Sequence, residues 1–141
     1  MTDELLHLRE DFAVLDDWED RYRHVIELGK ALAPMDAALK TLATKVNGCA
    51  SQVWIHSRIT DAGGKKILQL VGDSDALIVK GLIAIAFMIY ANRPAREILD
   101  VDAAVIFAEL GLKDHLTPQR SNGLASMVAR IKSDAARALA A

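Results

Sequence analysis

The sequence predicts an α+β domain in which helices come first, a small antiparallel sheet follows, and helices complete the chain. Three observations predict it. Val53, Ile55, Ser57 and Ile59 alternate with Gln52, Trp54, His56 and Arg58, the two-residue period of a strand. Asp61-Ala62-Gly63-Gly64 is a turn signal between that run and a second one, so residues 51–72 read as a hairpin. On either side, apolar residues recur at helical spacing, and strands and helices do not alternate as in a parallel array.

Taken in order, a first helix is expected from Asp3 to about Leu15. Asp16 and Asp17 interrupt it, and either can cap a second helix, whose early acids Glu19 and Asp20 suit its dipole. Trp18, Tyr22, Val25, Ile26 and Gly29 mark its packed face, and Pro34 limits it. Two strands alone are marginal. The third is expected just before Cys49, around residues 44–46, which would place Cys49 at a strand connection, at one end of the sheet.

After the hairpin, Asp73-Ser74-Asp75 offers side-chain oxygens to cap a strongly apolar segment, Ala76 to Ala91. That segment is apolar on all sides but short of the roughly 20 residues a membrane span needs, and Lys80 interrupts it. It reads as a buried central helix, with Lys80 reaching out to water. Arg93-Pro94 ends it. Short helices follow at about residues 95–99 and 102–110, the latter stopped by Gly111. Thr117-Pro118 has the cap-then-proline order of a helix start. The last helix runs to about Leu139, weakened near its beginning by Asn122-Gly123.

The 141 residues are read as one domain, large enough to bury roughly two-thirds of its unfolded surface without disulfide or structural metal. With 19 acids against 17 bases there is no basic footprint, so neither nucleic acid nor an anionic membrane is an expected partner. The N-terminal M-T-D-E-L-L-H-L-R-E is not a secretory signal. A single cysteine excludes an internal disulfide framework and fits a reducing compartment; a cytoplasmic location is expected.

That cysteine, Cys49, is the centre of the functional question. A lone cysteine is commonly a small buried hydrophobe. Its neighbours Asn47, Gly48, Ala50, Ser51 and Gln52 are small or polar, which is loop chemistry, and Gly48 lets the backbone bend without a Cβ. An approachable thiol could be a hydrolase nucleophile with His7, His24, His56 or His115 as base. It could bind metal, although no second cysteine or paired histidine spacing supports that. It could carry sulfur as a persulfide by thiol-disulfide-type exchange. The carrier needs only one thiol, a mobile tip and a docking surface, and fits this equipment best.

V-N-G-C-A-S-Q-V-W at residues 46–54 resembles the signature of SufE-type cysteine desulfuration proteins, the SufE/CsdE family. Further blocks resemble the same family in the same order: W-E-D-R-Y-R-H-V-I-E-L-G-K at 18–30, G-D-S-D-A-L-I-V-K-G-L-I-A at 72–84, and H-L-T-P-Q-R-S-N-G-L-A-S-M at 115–127. The resemblance implies an α+β fold shared with IscU/NifU scaffold proteins, with the cysteine on a loop at one end of the sheet. It implies a sulfur acceptor: Cys49 takes persulfide sulfur from a pyridoxal-phosphate cysteine desulfurase, SufS-like or CsdA-like, and relays it to an iron–sulfur scaffold. Pyridoxal phosphate then belongs to the partner, and no cofactor or metal is expected here.

Each remaining residue has two readings. Ser51 supports the loop or begins the strand. Asp73 and Asp75 cap the following helix, or, where the resemblance sets them near the cysteine loop, restrain its opening. Arg120 is a solvated helix residue or, as part of a family motif with Asn122 and Gly123, a contact to the desulfurase. The competing class is a regulator that binds the desulfurase without carrying sulfur.

Overall fold

The structure, a computed structural model, describes residues 3–140. Its elements are α1 (Asp3–Val14), α2 (Trp18–Ala31), β1 (Val53–Ala62), β2 (Lys65–Ser74), α3 (Leu77–Tyr90), β3 (Arg93–Pro94), α4 (Ala95–Asp100), α5 (Ala103–Glu109), α6 (Leu112–His115) and α7 (Pro118–Ala140). The α+β expectation holds: the described residues form seven α-helices, a short 3-10 turn at 37–39 and a three-stranded antiparallel sheet of order β1-β2-β3.

The hairpin forms where the alternation and the double glycine place it. Ala62 pairs with Lys65, and the two residues between them, Gly63 and Gly64, have φ of 58° and 79°. Two successive left-handed residues make the turn whose twist matches paired strands. The apolar face of β1 covers the core only in its first half: Val53 and Ile55 are fully buried, whereas Ile59 is exposed.

The third strand lies elsewhere than expected. Arg93 and Pro94 pair with Leu68 and Ile67 of β2, so the expected helix stop is also a strand. Asn92 makes this reversal: its φ is 60° and its N–H donates to the Leu68 carbonyl (2.8 Å). Asparagine tolerates this region, and Pro94 costs no ladder bond at a sheet edge. The segment at 44–46 does lie against β1, but as an isolated bridge, Lys45 opposite Trp54, rather than a strand.

Helix α3 is buried on nearly every side, with Leu82, Ile83, Ile85, Ala86, Ile89 and Tyr90 at 0–1 % exposure. Among the described residues no helix is long and apolar enough to cross a membrane. Glycines let neighbours reach its backbone. A Cβ on Gly29 of α2 would lie 2.6 Å from the Leu77 carbonyl oxygen and 2.8 Å from the Gly81 nitrogen. On the sheet side, a Cβ on Gly72 would meet Phe87 and the Trp54 carbonyl oxygen, each at 2.9 Å.

Two helix starts follow the sequence closely. Asp17 accepts from the Glu19 N–H (3.0 Å) and Thr117 from the Arg120 N–H (3.2 Å). The start of α3 does not. Its cap residue is Ala76, without a side-chain hydrogen bond of its own; Ser74 Oγ accepts from the Ala76 N–H (3.2 Å). β2 continues to Ser74, which turns Asp73 and Asp75 toward other partners. Lys80 does not end in water alone, because its ammonium pairs with Asp73 (3.2 Å).

Gly29→Ala is expected to destabilise the protein by about 1–3 kcal/mol, since the new methyl would press on the Leu77 and Gly81 backbone. The check is urea unfolding: a lower midpoint with unchanged slope is the expected result.

Candidate functional site

Cys49 sits on the loop between the 44–46 bridge and β1, half-buried. Gly48 makes the loop possible. Its φ is 94°, and a Cβ there would lie 2.5 Å from Ser126 Oγ of α7. The positive φ strains any side chain there, and one would also have to displace Ser126 Oγ. The Cys49 thiol then points at α7, where Sγ donates to the Gly123 carbonyl oxygen (3.5 Å). A carbonyl can only accept, so this contact holds the thiol and not the thiolate.

The thiol opens into a depression of about 250 Å³. Ala50 and Ser51 of the loop, Val79 and Leu82 of α3, and Thr117, Gln119, Arg120 and Gly123 at the start of α7 complete its lining. Arg120 is the one charged residue among them. Burial pushes the Cys49 thiol pKa above its ordinary value. At rest the site therefore favours a protonated thiol in a partly apolar cup.

The structure thus brings Gly48, Cys49, Ser51 and Arg120 together. Asp75 stands at the loop's far end, where its Oδ1 accepts from the Gln52 N–H (3.0 Å). Asp73 is not at the thiol. It receives the Ser74 N–H (2.8 Å) and the ammonium groups of Lys40 (2.6 Å) and Lys80 (3.2 Å). Burial raises its pKa, but Lys40, the Ser74 N–H and Lys80 together outweigh burial and hold it below the usual carboxylate range. Lys40 also lies 5.3 Å from the centre of the Trp54 ring, so this cluster anchors the strand beside the loop.

The hydrolase reading loses its base, because no histidine lines the depression. His115 stacks on Trp18 (3.9 Å between centroids) and His24 pairs with Asp11 (3.2 Å). Among the described residues no group of three or more His, Cys, Asp or Glu side chains could hold a metal ion. The packing roles of two residues escaped the sequence reading. Gly123 looked like a helix weakness, yet it is where Cys49 packs: a Cβ there would lie 3.5 Å from Sγ and 3.7 Å from Cys49 Cβ. Ser126, three residues on, sits against Gly48. The spacing of these small residues on one helix face was the available signal.

Comparison with known proteins adds to this geometry. Residues 6–135 match the SufE family, described as an Fe-S metabolism associated domain. The chain belongs to the SufE family. An uncharacterized SufE-like protein of Rhizobium meliloti is 52% identical over 126 residues, covering 89% of this chain and 90% of that one. A second, from Rhizobium etli, is also 52% identical, covering 89% and 85%. The solution structure of a hypothetical protein from Thermus thermophilus superposes with a TM-score of 0.74 at 21% identity, over 97% of this chain and 96% of that chain. That likeness is one of fold. SufE membership is consistent with a sulfur-transfer role in iron–sulfur metabolism.

Because burial raises the thiol pKa, Cys49 in the free protein should alkylate more slowly than a small free thiol near neutral pH. Its rate should keep rising with pH beyond the point where the small thiol levels off. Iodoacetamide labelling followed by mass, across a pH series, checks this.

Proposed function

We propose that Cys49 accepts sulfur from the persulfide of a cysteine desulfurase, stimulates that enzyme by clearing its product, and relays the sulfur to iron–sulfur cluster assembly. The observation that carries this reading is the lone thiol on a glycine-hinged loop, seated in a cup on α7, in a chain of the SufE family. Within this reading the desulfurase is SufS-like or CsdA-like and holds the pyridoxal phosphate. The chain itself acts in the cytoplasm and needs no cofactor or metal.

The chemistry is an exchange without net redox change. The Cys49 thiolate attacks the terminal sulfur of the donor's persulfide. A sulfur–sulfur bond forms on Cys49 as the donor's sulfur–sulfur bond breaks. The donor sulfur leaves as thiolate and takes up the proton that Cys49 gave away. The products are a Cys49 persulfide and a donor thiol.

The resting arrangement supports a carrier that is inactive until docked. The protonated thiol is a poor nucleophile, and its bond to Gly123 is weak. Docking that lifts the loop from α7 removes the burial and frees the thiolate. Arg120, the charged residue of the cup, is then available as a source of positive charge for an anionic sulfur. The cup of Val79 and Leu82 can receive the loaded persulfide and limit its contact with water and reductant.

Intact-mass analysis after incubation with a desulfurase and free cysteine tests the reading. The expected result is one added sulfur atom, removed by reductant and absent in Cys49→Ser, which also loses stimulation of the desulfurase. Binding without any adduct would make the protein a regulator instead. Arg120→Gln should slow sulfur uptake by about tenfold, the effect of one pKa unit on the thiolate population, with folding unchanged.

A further inference from the structure

The tip of the Cys49 loop and its N-terminal root are held by the same face of α7, and unequally. Gly123, Ser126 and Arg130 stand at i, i+3 and i+7. At the tip, Gly123 offers one weak thiol acceptor at 3.5 Å and Ser126 a steric contact to Gly48. At the root, the Arg130 guanidinium donates to the Ala43 carbonyl oxygen at 2.7 Å, with longer contacts to the carbonyls of Lys45 (3.4 Å) and Ile55 (3.5 Å).

Arg130 is itself fixed. Its Nε meets both carboxylate oxygens of Asp134 (3.1 and 3.3 Å), and Asp134 also accepts from Ser57 Oγ (2.5 Å) and Arg137 (2.8 Å). The two side chains are only 20% and 10% exposed, so these bonds compete little with water. The segment they grip is tied from its other side as well. Val46 donates to Val53 and Ile55 to Thr44, each at 2.8 Å, and Thr44 Oγ1 donates to Leu39 (2.6 Å). The loop's other root is the Gln52–Asp75 pair. Between the roots, no backbone–backbone hydrogen bond holds residues 47–51 among the described residues.

We propose that Arg130 is the positioning residue of the Cys49 loop: it locks the 43–46 root to α7 and β1, so that residues 47–51 alone swing when the thiol meets its sulfur donor. The proposal rests on Cys49 being the sulfur acceptor, and it adds the hinge. A short flap with two fixed roots returns Cys49 to one place in each cycle. A loose root would let the 44–46 bridge peel from β1 and spread the thiol over many positions.

Hydrogen exchange of the Val46 and Ile55 amides in Arg130→Met tests it, with Leu8→Ala in the core under α1 as a control for general destabilisation. In Arg130→Met these two amides should exchange roughly tenfold faster or more, beyond any change in the amides of α3, and free Cys49 should alkylate faster in step, as loss of a charge-assisted bond requires. The control should leave both readouts in proportion to its overall stability. Should Arg130→Met not fold, Arg130→Lys keeps the charge beside Asp134 but cannot reach three carbonyls at once, and should show the same local exchange. Val46 and Ile55 exchanging no faster than the control predicts would overturn the proposal. Neither readout needs sulfur transfer, so failure of Cys49 to take up sulfur would count against the acceptor reading while leaving the hinge result intact.

Discussion

Everything in this fold is arranged around the burial of α3. A helix apolar on all sides loses by facing water along any side, so other elements must cover most of its length. α2 covers one side at backbone distance through Gly29 and Gly81, and β2 approaches another through Gly72. α7 and α1 also pack against it. The Cys49 cup is a consequence. Its floor, Val79 and Leu82, belongs to the N-terminal half of α3, and its wall is the start of α7. The Cys49 thiol thus lies where the core helix would otherwise meet solvent.

This placement settles the thiol's resting character. Burial favours the neutral form, and among the described residues Sγ has only a carbonyl as hydrogen-bond partner. The grip is weak at the tip and strong at the roots. Charged donors hold carbonyls on one side, and Asp75 holds a backbone amide on the other. A loop built this way can release its thiol without disturbing the sheet behind it. Asp73 contributes at a remove. Its paired carboxylate adds stability above the usual carboxylate range, and that stability is lost as pH falls through its own lowered pKa.

Much of this was legible in the sequence for physical reasons. Alternation and Gly63-Gly64 specify the hairpin because side-chain period and positive φ are local properties. Residues 76–91 show a buried helix by composition alone. Cys49 stood out because its neighbours are those of a loop, and four family blocks pointed to its chemistry. What escaped depends on contacts distant in the chain. β3 is two residues long and arises from the reversal at Asn92, so no period marks it. Helix α6 is a single turn and equally silent. The Asp73 and Asp75 caps were misplaced because β2 runs three residues past Val71, where its apolar pattern ends. Arg130 left no trace, since its partners are backbone carbonyls that any residue at 43, 45 and 55 would supply. Gly123 read as a flaw because its value is the space it leaves for Cys49.

On the proposed function, Cys49 is held closed on α7 and is presented only on docking. The most direct measurement is the alkylation rate of Cys49, free and with saturating desulfurase whose own catalytic cysteine has been replaced by serine. The account predicts slow labelling of the free protein and marked acceleration in the complex, with the label on Cys49. Equal rates in the two states would contradict it.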